Sequence, residues 1–231
     1  MVLTGEFASA ALSPSLSLSP YVSVTDYDSN VFINCPFDDQ FKPLLEAIMF
    51  CVVFADLKPR LALEVQDSGE TRIQKITRLI EESRFAIHDL SRAEAKKKGE
   101  YYRLNMPFEL GLDYGCRLFG GEEFSNKRAL ILEEKPYRYQ ASLSDLAGVD
   151  IKQHKGNYEG AIEAVRSWLV SEVGVKLFGA SAVIGRYADF QSWHLERESE
   201  LRQSTPEDIK AYPISELLEA MREWCAIYKF A

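Results

Sequence analysis

The sequence is poor in the residues that usually announce a chemistry. It has four cysteines, Cys35, Cys51, Cys116 and Cys225, none in a CxxC pair, which excludes the common zinc spacings and a thioredoxin-like motif. Reduced thiols in a cytoplasm are the simplest consequence. The three histidines, His88, His154 and His194, form no HExxH pattern, so no metal is expected. There is no phosphate-loop lysine motif and no GxGxxG, which argues against a P-loop kinase and a standard dinucleotide oxidoreductase.

Positive charge is also short: 27 Lys and Arg stand against 35 Asp and Glu, a formal net charge of -8 with a pI of about 5.1. Nucleic acid and anionic membranes both reward a positive surface, so neither is the expected partner. No apolar run reaches the roughly 18 residues of a membrane-spanning helix. The first residues carry no basic segment ahead of their mild apolar stretch, unlike a secretion signal. Ser-Pro and Ser-Leu steps in "ALSPSLSLSP" mark residues 1–29 as a flexible leader.

What is present is an alternation. Within 231 residues, 46% of them hydrophobic, there is length for a sizeable core. "VFINCPF" begins as a β-prone run that stops at Pro36. "DDQFKPLLEAIMFCVVFADL" follows with helical spacing, Asp38 or Asp39 as cap and Pro43 near the first turn. "RLALEV" reads as the second strand. "SGETRIQKITRLIEESR" reads as a helix with start signals at Ser68 and Glu70 and with Ile73, Ile76 and Ile80 on its apolar face. "FAIHDLS" is the third strand, "AEAKKKGEYYRL" an exposed charged connection, and "NMPFELGLDYG" the opening of another helix. "RALILEE", a polar link with room for a short fifth strand, and the helix "NYEGAIEAVRSWLVSEV" complete the series.

This order predicts a doubly wound α/β fold with a mostly parallel, flavodoxin-like sheet over residues 30–173. Residues 174–231 read as small helices, an appendage with "STPEDI" as a helix start and Leu217, Leu218, Met221 and Trp224 as an apolar stripe.

Ligands of such sheets bind beyond the carboxyl ends of the strands. That places Asn34, Cys35, Pro36, Phe37 and Asp38 after the first strand, Ser68 and Arg72 after the second, and His88 and Asp89 at the end of the third. Asn105, Glu109 and Asp113 join them from the next helix. Pro107 fits a first helical position, and Glu109 would favour the positive helix end. Asp113, one turn on, should face the same way, and the repulsion of paired carboxylates would split their pKa values. An ion pair of Asp113 with Arg117 is the plainer alternative. "SGETRIQK" offers helix-start amides and Arg72 to a phosphate. Tyr101, Tyr102, Tyr137 and Tyr139 could stack a base.

"VFINCPF", "IEESRFAIHDLS" and "PFELGLDYG" together resemble the nucleoside 2-deoxyribosyltransferase-like and TIR-like group of Rossmann-type domains, over roughly residues 31–172. The resemblance implies cleavage or transfer at an N-glycosidic bond. Glu109 would be the carboxylate at the sugar C1, Asp89 and Asp113 would hold hydroxyls or supply a proton, and Phe37 would stack the base. It also implies that NAD or a nucleotide enters as substrate or ligand rather than as a resident cofactor, in bacterial stress or phage defence. A nucleotide sensor without turnover is the alternative, and a homo-oligomer is compatible with either.

Overall fold

The computed structural model describes residues 24–64, 67–92 and 104–230. The leader up to residue 23, and the charged connection with Tyr101 and Tyr102, lie outside the described residues. The end of the expected leader, Val24–Tyr27, is a single helical turn, α1.

Five strands, β1 (Asn30–Asn34), β2 (Lys58–Arg60), β3 (Phe85–Asp89), β4 (Arg128–Glu133) and β5 (Lys152–Gln153), form one sheet in the order β2-β1-β3-β4-β5. Every pairing is parallel, the doubly wound arrangement expected of alternating strands and helices. The strand order reverses between β1 and β3, so the crevice at their carboxyl ends is the topological switch point.

Alternation along the strands sends side chains to two helical layers. Val31, Ile33, Phe85, Ile87, Leu130 and Leu132 enter the larger core, against α2 (Lys42–Phe54) and α5 (Tyr158–Trp168). Phe32 and Ala86 enter a smaller cluster with Ile76, Leu79 and Ile80 of α3 (Arg72–Glu81), and α4 (Asn105–Phe119) adds Leu112 and Cys116.

The second strand departs from expectation. It is "KPR" rather than "RLALEV", and only an edge position tolerates Pro59, which has no N–H to give a ladder. Beyond Arg60 the chain turns, with the Glu64 amide donating to the Leu61 carbonyl. The start of α3 also differs: Thr71 is the cap, paired with Gln74 in a capping box. Its inward face is Lys75, Ile76, Leu79 and Ile80, whereas Ile73 is exposed.

The C-terminal part is not a set of small helices. Its first member, α6 (Ala180–Arg202), runs 23 residues and is followed by α7 (Pro206–Ala211) and α8 (Ile214–Tyr228). A π turn, Leu169–Val173, closed by Gly174 at φ 83°, leads the chain toward α6. Val183, Tyr187 and Phe190 of α6, with Leu218, Met221 and Trp224 of α8, enter the same apolar cluster as α2 and α5. Among the described residues no helix is long and apolar enough to cross a membrane.

Candidate functional site

At the switch point, β1 and β3 set Asn34 directly beside His88 in the parallel register. Both point to the α3/α4 side, and a buried polar chain begins there. The Asn34 amide donates to the Met106 carbonyl and to His88 Nδ1, each at 3.0 Å. Because the Met106 carbonyl needs a donor, the amide nitrogen must face it, and Nδ1 is left to accept. His88 Nε2 then donates to Asp113 Oδ2 at 3.1 Å.

Asp113 Oδ1 lies 3.1 Å from the Lys127 ammonium. That ammonium donates to the Ile80 carbonyl at 2.7 Å and to the Ser83 carbonyl, and it pairs with Asp113 by charge. Burial alone would raise the Asp113 carboxyl, but His88 and the Lys127 charge outweigh it, and its pKa is lowered. The expected surface pair with Arg117 is therefore replaced by an internal one. Asp113 fastens α4 to β3, to β4 and to the end of α3.

Glu109, one turn earlier, sits in a different setting. It lies in the second turn of α4, because the helix begins at Asn105, and the first turn carries no acid. The dipole explanation for Glu109 falls, and Pro107 is the third helical residue rather than the first. The residue is only 3% exposed, and Arg72, across the gap from α3, approaches its Oε1 at 3.4 Å. Burial raises its carboxyl above the ordinary value, against the pull of Arg72 and the lesser pull of His88. The two carboxyls shift in opposite directions, but mutual repulsion, the expected cause, is not what separates them. The split comes from burial at Glu109 and from Lys127 and His88 at Asp113.

Arg72 also lines an open cavity of about 600 Å³, together with Cys35, Pro36, Phe37, Asp38, Asn105 and Met106. Its guanidinium stands 5.9 Å from the centroid of the Phe37 ring, within cation–π range. Asp38 carries a fork of two bonds from Arg92, at 2.9 and 3.2 Å, and accepts from the Phe41 amide. The Cys35 thiol is driven well up by burial and then by Asp89, Glu109 and Asp38, which disfavours a thiolate nucleophile. Ser68 is exposed in the turn before α3 and does not line this cavity.

Asp89 is fully buried rather than open to the crevice. Its Oδ1 accepts from the Ser91 amide at 2.9 Å, and Oδ2 lies 3.1 Å from His154 Nε2. Ser91 Oγ is 2.7 Å from the same nitrogen. Serine, histidine and aspartate in contact suggest a nucleophilic triad, but the wiring is wrong for one. The Gly156 amide donates to His154 Nδ1 at 3.0 Å, so the ring proton resides on Nε2 and cannot be replaced by that of Ser91. The cluster ties β5 to the end of β3. Arg138 closes it from above, donating to the Ser91 carbonyl at 2.6 Å and pairing with buried Glu133.

The structure thus brings Cys35, Pro36, Phe37, Asp38, Arg72 and Asn105 to one cavity with Glu109 behind Arg72. It places Asn34, His88, Asp89 and Asp113 beneath, in buried bonds. Tyr139 is in a third small core cluster with Met106 and Leu110 rather than on a stacking wall, and Tyr137 is exposed. Lys127 and His154 are the residues that sequence reasoning passed over. Nothing in their neighbours signals burial, since Lys127 reaches Asp113, Ile80 and Ser83 and His154 reaches Asp89 and Ser91, all remote in sequence.

Fold and crevice together define a parallel α/β protein with a buried carboxylate at the switch point of its sheet. Compared with protein-family models, with curated proteins and with solved structures, the chain gives no match.

Proposed function

We propose that the crevice binds a nucleotide or NAD and that the protein cleaves or transfers at its N-glycosidic bond, with Glu109 facing the sugar C1. The observation that carries this reading is the position of Glu109: buried, raised in pKa, and screened from the cavity by one half-exposed arginine. A ligand phosphate offers Arg72 a better bidentate partner than a carboxylate oxygen at 3.4 Å. Binding would draw the guanidinium away and leave Glu109 aimed at the reacting end of the ligand.

The bond that breaks is C1–N, its electron pair leaving with the base while water or an acceptor hydroxyl adds to C1 and loses its proton. A carboxylate stabilises the oxocarbenium-like sugar between the two. Asp89 and Asp113 are both engaged internally, so neither stands ready to protonate a departing base. A base that leaves from a cation, as nicotinamide does in NAD, needs no such acid. Phe37 supplies an apolar face, and Asp113 acts as a positioning residue that fixes α4 under Glu109.

The same internal engagement favours one other reading, a nucleotide-binding sensor without turnover. Incubation with NAD, NADP and a panel of ribo- and deoxynucleotides, followed by chromatography of the free base, separates them. Base release by the wild type and none by Glu109→Gln supports the enzyme. A raised melting temperature with one panel member and no base released supports the sensor, since a ligand of the folded state must stabilise it.

A further inference from the structure

Helix α4 is built inside out. Its acids, Glu109 and Asp113, are buried together with Met106 and Leu110. Its outward strip is apolar: Leu104 at the cap, then Phe108, Leu118 and Phe119, are 57% to 87% exposed. At 100° per residue these four, with Gly111 and Gly115 between them, fall on one side of the helix, and no charged residue of the helix falls among them. A solvent-facing helix surface normally carries the reverse pattern.

The two glycines give a second, independent sign. A glycine inside a helix is unfavourable relative to alanine, so its presence needs a reason. The described residues supply none: among them, a Cβ built at Gly111 or at Gly115 meets nothing within 4 Å, and neither glycine has a positive φ. They leave a shallow notch, one helical turn long, in the middle of an apolar strip. Such a notch is useful to a helix that approaches from outside.

The strip is also nearly palindromic: two large residues, two glycines, two large residues. Laid antiparallel on itself about an axis between the glycines, it sets Phe108 of one helix against Leu118 of the other and Gly111 against Gly115, with Leu104 and Phe119 toward the ends of the contact. That is the self-complementarity an isologous contact requires. Together with Tyr114, the four large side chains expose on the order of 600 Å² per copy, close to the ~800 Å² each partner contributes to a stable interface.

We infer that the outer face of α4 is the dimer interface of this protein, its occupant a second copy docked antiparallel with the Gly111–Gly115 notches facing each other. The contact lies on the helix that carries Glu109 and Asp113, so each copy braces the other's candidate site. The inference does not depend on the proposed reaction.

Light scattering on the full chain during gel filtration, across the micromolar range, tests it. The wild type is expected to run at the mass of two copies. Phe108→Glu is expected to run at the mass of one, with an unchanged circular dichroism spectrum. Gly111→Ala with Gly115→Ala provides a variant that folding failure cannot mimic: the helix itself gains, while the dimer dissociation constant rises by about tenfold or more. A wild type of single-copy mass throughout, including one that instead captures a different protein, overturns the inference. So does a two-copy mass that survives Phe108→Glu, or a double-alanine variant that dimerises as tightly as the parent.

Discussion

On one side of the sheet α2 and α5 lie beneath a second layer, α6 and α8, and the space between is largely aromatic. Phe50 stacks on Phe54 and Phe190 and touches Tyr187 and Trp224, all with centroids within 6 Å. On the other side α3 and α4 form a single layer. The gap to the sheet is crossed by Asn34, His88, Asp113 and Lys127 as well as by Phe32 and Ile76. The difference shows where stability is made and where it is given up. Apolar burial is non-directional and tolerates an extra layer, whereas a buried polar chain is directional and fixes its members' positions through specific bonds. The crevice inherits its precision from the second kind of packing and its rigidity from the first.

The comparison breaks most visibly under large-to-small substitution in the aromatic layer. Phe50→Ala is expected to cost about 3–5 kcal/mol in denaturant unfolding, while ligand protection at the crevice, measured on the folded fraction, stays unchanged. On the polar side Lys127→Ala is expected to cost a similar ~3–5 kcal/mol, because it leaves Asp113 buried without its cation. Lys127→Met combined with Asp113→Asn should recover part of that loss, since the introduced amide oxygen still accepts from His88 while the Ile80 and Ser83 carbonyls stay without their donor. No such rescue is available to Phe50, and the contrast is the point of the pair.

Acidity sharpens the comparison next. Asp113 has a lowered pKa, so its contribution is fully present above its unfolded value, ordinarily 3.8, and is lost as pH falls through the folded value below it. Glu109 has a raised pKa and acts with the opposite sign. The folded state holds its proton where the unfolded one has released it, so stability declines as pH rises from 4.5 through the folded value. Glu109→Gln should flatten that decline in a pH series of thermal melts, and Asp113→Asn should remove the acid-side loss.

Smaller effects test the edge of the polar side. Thr71→Ala removes the cap of α3 and is expected to lower stability by about 1 kcal/mol. Ser68→Ala, three residues away in an exposed turn, should fall within about 0.5 kcal/mol and leave ligand protection untouched.

Much of the fold was legible because it is periodic. β1, β3 and β4 are visible as short apolar runs, the helices that follow them as apolar residues at helical spacing, and parallel order follows from their succession. β2 was misplaced by a few residues because "RLALEV" has better strand character than "KPR". The deciding factor, an edge position that tolerates Pro59, is a property of the whole sheet. The interior of α6 was hidden for a different reason: His194 and Glu198 sit on its buried face with Tyr187 and Phe190, which blurs the apolar stripe.

Within the site, the strand-end rule leads to Cys35, Pro36, Phe37 and Asp38 at the cavity, with Glu109 behind Arg72. The distinction of Glu109 from Asp113 could not be reached that way, because it depends on Lys127, fourteen residues along the chain, reaching back beneath α4. The buried state of Asp89 likewise depends on His154, which no local pattern connects to it. Residues that act on neighbours in sequence were readable; those that act across the sheet were not.

The central claim is that Glu109 is held ready for chemistry and not for stability. It is tested most directly by measuring thermal melting at neutral pH and base release from NAD and the nucleotide panel, side by side, for the wild type and Glu109→Gln. The account predicts that the variant melts no lower than the wild type and releases no base. Undiminished release by the variant, or a variant that loses stability and binding together, would contradict it.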